Sequence, residues 1–321
     1  MRSGGSIDVL RGATLNLGAV TFNSENGQHD YNINIGNNAT LNSTDTSMNL
    51  NGSASVNMAK GGRIQFTGVE YSNKGAAETA TLKSGYVLTN GHARSTGTEG
   101  ITMDNKLVNS SVENAGGGTL RTTNTDNSIT GVVASKGDVV LESMGSTLSL
   151  NQLEIGAGNV VEAYVGTTSE TCTHVMLSGA ALLSGTAALN TSLTLEAGST
   201  LDMTGLEAGA VTVNGVLTLG GKVTMGSQLL SLVSTMSGNE SLTLFTGLDD
   251  VILPSVAETD TYDLIQTSDV FSNVNNSHLF VKYQTSANGG SLMMMMQVPE
   301  PATSTLSLLA LAALAARRRR K

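Results

Sequence analysis

The sequence predicts an all-β fold, a right-handed parallel β-solenoid, and three observations carry that prediction. The first is composition. Gly, Ser, Thr and Asn supply 138 of the 321 residues, whereas 13% are charged and 3% aromatic. Surfaces built this way are rich in hydroxyls and amides, which excludes coiled coils and helical bundles, whose faces need Glu, Lys and Arg. The second is alternation. Runs such as Ala13-Thr14-Leu15-Asn16-Leu17, Ser53-Ala54-Ser55-Val56-Asn57-Met58 and Thr147-Leu148-Ser149-Leu150 place apolar side chains on one face and Thr, Ser or Asn on the other. The third is recurrence, since such runs return along most of the chain behind a Gly, Asn or Ser that tolerates a tight corner.

The elements follow in order. Met1-Arg2-Ser3-Gly4-Gly5-Ser6 passes straight into Ile7-Asp8-Val9-Leu10 without the apolar stretch of an export signal, so the start reads as a fragment or a misplaced start. From there to residue 241 the short strands cannot bury a core singly, but stacked as rungs they share one. Crossover chirality sets the hand as right-handed. At about 20 residues per rung, about a dozen rungs spaced about 4.8 Å apart would make a rod about 60 Å long. An antiparallel β-sandwich also gives alternation with frequent turns; the scarcity of aromatics and proline favours the solenoid. No part of this body keeps a helical period.

Near residue 242 the texture changes. Phe245, Tyr262, Phe271, Phe280 and Tyr283 cluster there with Pro254. An open solenoid end exposes unpaired backbone groups, so residues 242–297 read as a capping β element. The run Met293-Met294-Met295-Met296 is its last strand or a lead into the tail, and no copper site.

The last segment, residues 298–321, has three parts. Pro299, Glu300 and Pro301 make a stiff, extended piece that can join neither a strand nor a helix interior. Residues 302–316 carry no charge, and Leu306, Leu308, Leu309, Leu311 and Leu314 would form the membrane-facing core of a short helix. Fifteen residues rise about 22 Å against a hydrocarbon core of about 30 Å, which suits a transient anchor. Arg317, Arg318, Arg319, Arg320 and Lys321 would remain on the cytoplasmic side and leave the body outside.

Without that tail and Glu300, the body has 12 basic against 25 acidic residues, a net charge of −13. Such a surface repels phosphate backbones, so nucleic acid is not an expected partner. Cys172 is the single cysteine, so no intrachain disulfide holds the fold.

Pro299-Glu300-Pro301, the apolar stretch and the terminal basic cluster together resemble the PEP-CTERM protein-sorting tail of Gram-negative bacteria, in the form common in Verrucomicrobia-type organisms. The resemblance implies an exosortase-type sorting transpeptidase as partner and transient insertion in the inner membrane. It further implies cleavage near the Pro-Glu-Pro piece and delivery of the body to the envelope or outside. The body resembles autotransporter-passenger β-helix repeats in pattern only.

Other chemistry is sparse. Cys172 and His174 share a strand face, but zinc needs three or four ligands. Asp138 with Glu142, Asp249 with Asp250, and Asp260 with Asp263 are the acidic pairs a glycan-cleaving β-helix would use. Asp45 to Asn49 and Asn124 to Asn127 offer oxygens to Ca²⁺ without matching a known calcium loop. The expectation is therefore an exported, non-enzymatic surface or matrix protein that holds glycans or other surface proteins. It has no cofactor (Ca²⁺ being the one considered), and the alternative is a glycan-degrading lyase or hydrolase of the same shape.

Overall fold

The computed structural model describes residues 5–17, 20–23, 31–43, 46–49, 55–59, 63–66, 69–72, 79–83, 87–89, 92–95, 98, 100–103, 106–167, 171–254 and 264–297. Among them the chain winds as a parallel β-solenoid of about seven turns. One face shows why. Ala93, Val112, Val132, Leu153, Ala181, Leu201 and Met225 sit in register on successive parallel strands. None of the seven is more than 2% exposed. Because side chains alternate along each strand, every second residue enters the interior and stacks on its counterpart one level on. A second face repeats the arrangement with Leu120, Val139, Val161, Leu189 and Val213. A third does so with Leu148, Val175, Leu193, Leu217 and Val251.

The corners explain the glycine-led runs. Residues 10–13, 36–39, 156–159, 184–187 and 196–199 each close a four-residue turn in which the fourth N–H donates to the first carbonyl, at 2.9–3.1 Å. The third residue of each turn has positive φ: Gly12, Asn38, Gly158, Thr186 and Gly198. At another corner Gly137 is required by proximity, since a Cβ there would run into the Gly118 carbonyl of the preceding level.

Among the described residues about seven turns stand where a dozen were expected, chiefly because the parallel ladder does not continue before His92–Ser95, where its neighbour Val69–Ser72 is antiparallel, and in part because some levels exceed 20 residues. From Val112 to Val132 the advance is 20, but from Leu153 to Ala181 it is 28 and from Leu217 to Val251 it is 34. The 34-residue advance contains the helix Ser227–Ser234, and both long advances come with shifts in ladder register, between Leu150 and Gln152 and between Thr212 and Val216.

Upstream, two shorter stacks are also parallel: Gly5–Val9, Tyr31–Ile35 and Ser55–Ala59, and Thr14–Leu17, Thr40–Ser43 and Arg63–Phe66. The chain then reverses. Val69–Ser72 runs antiparallel to both Arg63–Phe66 and His92–Ser95, and Thr79–Lys83 runs antiparallel to Ser55–Ala59 and Val87–Thr89. This reversed layer joins the upstream stacks to the parallel coil, and alternation alone gives no sign of it.

At the other end the pairing changes hand. Ser241–Ile252 is parallel to Val211–Leu219 on one side and antiparallel to Gly290–Met296 on the other. Leu279–Gln284 adds beyond Gly290–Met296, and Ile265–Gln266 adds beyond that. The four consecutive methionines thus lie in a strand, with Met294 fully buried. A helix, Ser227–Ser234, also lies here, in the body where no helical period was expected. Its signal is short: Leu229 and Val233, four apart, are its buried residues. Its first turn is capped from another strand, as Asp202 accepts from the Leu229 amide at 2.8 Å. Gly226 allows that approach, because a Cβ would clash with the Asp202 side chain.

Candidate functional site

The outer faces carry the polar half of each alternating strand, and neighbouring levels are bridged there by side chains. His174 Nε2 meets Thr194 Oγ1 at 2.7 Å, Ser184 Oγ meets Thr204 Oγ1 at 3.0 Å, and Asn214 Nδ2 donates to Asn190 Oδ1 at 3.0 Å. Asn190 in turn donates to the Tyr164 hydroxyl at 3.1 Å. Burial raises the Tyr164 phenol above its ordinary range, so it stays protonated. These rows are hydrogen-bonding surfaces that run across successive turns.

Of the acidic pairs read from the sequence, Asp138, Glu142 and Asp250 each hold a contact of their own. Asp138 Oδ1 accepts from the Val160 amide at 2.8 Å and so stitches one level to the next. Glu142 faces Arg121, with Nη1 donating to Oε1 at 2.5 Å. Asp250 Oδ1 accepts from the Val251 amide at 2.7 Å on an exposed edge beside Asp249. Asp260 and Asp263 lie outside the described residues.

Cys172 is exposed, and His174 is engaged by Thr194 rather than by the thiol. The Asn124–Asn127 oxygens are used locally. Asn124 Oδ1 accepts from the Asp126 amide, Asp126 pairs with Lys106 at 3.3 Å, and Asn127 Oδ1 accepts from the Leu107 amide. Asp45 lies outside the described residues. Among the described residues no group of three or more His, Cys, Asp or Glu could hold a metal ion.

Among the described residues, the densest cluster of titratable groups was not singled out from the sequence. On the strands His92–Ser95 and Ser110–Asn114, register places His92 beside Ser111 and Arg94 beside Glu113. Ala93, Ser95, Val112 and Asn114 point inward and are buried. The other four side chains are therefore on the outer side. His92 Nδ1 lies 2.7 Å from Ser111 Oγ, and its Nε2 lies 2.7 Å from Glu113 Oε2. Arg94 Nε donates to Glu113 Oε1 at 3.1 Å. The His92 side chain is 3% exposed and that of Glu113 is 17%. The hydrogen bond from His92, and with it the charges of His92 and Arg94, holds the Glu113 carboxyl down at about 2, against the opposing effect of burial. Only the alternation of both runs, 19 residues apart, could have signalled the cluster, and it says nothing about which strands become neighbours.

The sorting residues Pro299, Glu300 and Pro301, the leucines of residues 302–316 and the basic cluster 317–321 lie outside the described residues. Among the described residues no helix is long and apolar enough to cross a membrane. Residues 297–321 match the PEP-CTERM protein-sorting motif. That motif implies export through exosortase sorting to the cell envelope or surface, with processing by this sorting transpeptidase. No curated protein and no solved structure matches the chain.

Proposed function

We propose that the chain is an exported structural or adhesive protein of the cell surface or extracellular matrix, displayed as a right-handed solenoid. The sorting motif at residues 297–321 is the observation that carries this reading. Leu306, Leu308, Leu309, Leu311 and Leu314 anchor the precursor in the inner membrane while Arg317, Arg318, Arg319, Arg320 and Lys321 stay cytoplasmic. Cleavage near Pro299, Glu300 and Pro301 then frees the body.

The rows joining His174 to Thr194, Ser184 to Thr204 and Asn190 to Asn214 support an adhesive role. Hydroxyls and amides at about 4.8 Å intervals match the hydrogen-bonding groups of a glycan laid along the coil. The likeness to autotransporter passengers belongs to the same reading. Glycan cleavage finds less support, because Asp138 and Glu142 are each committed to a bond within the coil.

Deletion of residues 298–321 tests the route. The intact chain should pass through the membrane fraction and reach the surface at reduced mass, whereas the truncated chain should do neither. Unchanged destination and mass in the truncated chain would overturn the proposal.

A further inference from the structure

We propose that Ser111, His92 and Glu113 form a serine acyl-transfer site that takes a carboxylic ester. The argument is independent of the tail and begins with where the protons must lie. Glu113 is ionised across the neutral range, so its oxygens only accept. Oε2 lies 2.7 Å from His92 Nε2, which must therefore carry a proton and donate it. When the ring carries that one proton only, Nδ1 holds the lone pair. Ser111 Oγ, 2.7 Å from Nδ1, then donates its hydrogen there. The singly protonated ring is the reactive form, and it leaves the oxygen lone pairs of Ser111 directed away from the imidazole.

Ser111, His92 and Glu113 thus hold the contacts of nucleophile, base and orienting carboxylate, with the two ring nitrogens exchanged relative to the Ser-His-Asp template. Arg94 Nε on Glu113 Oε1 is a positioning contact that fixes the carboxylate. Access fits the roles as well: Ser111 is partly exposed on the outer side of its strand, whereas His92 beneath it is shielded. The ladder is also irregular at this point. Ser110 pairs with Ile129 and Ser111 with Gly131, so Thr130 is an extra residue beside the hydroxyl. Such bulges open the backbone pairing locally and recur next to active sites.

In the reaction the Ser111 oxygen adds to the ester carbonyl carbon as its proton passes to His92 Nδ1. The imidazolium, stabilised by Glu113, returns that proton to the departing alcohol as the carbon–oxygen bond breaks, which leaves an acyl-serine. Water, activated by the same nitrogen, then cleaves the acyl-serine to the carboxylic acid and restores the hydroxyl. No oxidant or metal takes part in this balance.

The full chain can be tested with p-nitrophenyl acetate and with a fluorophosphonate probe whose attachment point is read by mass spectrometry. The wild type should release nitrophenol above the buffer rate and carry the label on Ser111. Ser111→Ala and His92→Gln should each lower the rate at least about 100-fold. Glu113→Gln should lower kcat with little change in KM and alter the pH–rate profile, since it removes the charge that stabilises the imidazolium. Circular dichroism checks that each variant keeps its fold, and the label on the wild type depends on no variant. A wild type that neither hydrolyses the ester nor takes the label on Ser111 would overturn the proposal. Undiminished hydrolysis by a folded Ser111→Ala protein would overturn it equally.

Discussion

The parallel coil and the antiparallel end that follows it solve the same burial problem with different side chains. In the coil, interior positions are Leu, Val, Ile, Ala and Met stacked on residues of similar size, as in Leu148, Val175, Leu193, Leu217 and Val251. A narrow interior repeated level after level leaves little room for rings. In the end region, Phe245, Phe271 and Tyr283 are buried together with Met294 and Leu292. Here no further level follows, so fewer, larger side chains must fill a space of changing shape, which aromatics and methionine do well. The difference teaches that a solenoid is periodic only where each turn has a neighbour on both sides.

Phe245 is where the two regimes meet, and it offers the strongest way to break the comparison. It pairs with Val211 of the coil and with Leu292 of the antiparallel end, and it is fully buried. Phe245→Ala should cost about 3–5 kcal/mol by removing the ring and leaving a cavity between the two packings. Guanidinium titration should show a lower midpoint with an unchanged slope if coil and end unfold together. A second, separate transition would show instead that the end is an independent unit, and the contrast would then be between two domains.

Acid sharpens the comparison from the other end of the coil. Glu113 titrates at about 2 in the folded protein against an ordinary value of 4.5, first through the hydrogen bond from His92. A lowered carboxyl stabilises the fold wherever it is ionised. This contribution is complete above about pH 4.5 and disappears as pH falls through about 2. The effect should be on the order of 2 kcal/mol, read as the drop in denaturant midpoint between about pH 6 and about pH 2. Glu113→Gln should flatten that drop. An equal acid loss in the variant would assign it to other carboxylates.

Much of this architecture was legible from residue order. The alternating runs at Thr14, Thr40, Thr147, Leu193 and Thr200 are all strands, and Gly12, Asn38 and Gly198 mark true corners before three of them. Period-2 patterning reports which face of a strand is buried, and it does so locally. It does not report which strand lies alongside. Hence neither the reversal at Val69–Ser72 nor the meeting of His92 with Ser111 and Glu113 could be read, since both depend on level length. Asn114 shows the same limit. It looks like another outward polar residue but is 1% exposed, with Nδ2 donating to the Gly118 and Asp138 carbonyls and Oδ1 accepting from Gly116. A buried amide of this kind is stable because its backbone partners are supplied by two levels at once.

Thr122 supplies the smallest and cleanest test, because it breaks the interior rule without compensation. It sits at an inward position between Met103 and Leu141 on adjacent strands, and its side chain is fully buried. Its Oγ1 has no hydrogen-bond partner, in contrast to Asn114 on the neighbouring face. Desolvation of an unpaired hydroxyl costs about 1–3 kcal/mol, whereas valine has nearly the same shape and none of that penalty. Thr122→Val should therefore raise the denaturant midpoint, with a gain of about 1 kcal/mol. If the variant is less stable than the wild type, the hydroxyl is serving the fold through a contact formed in solution. The coil would then tolerate inward polar groups more generally than its ladders of Leu and Val imply.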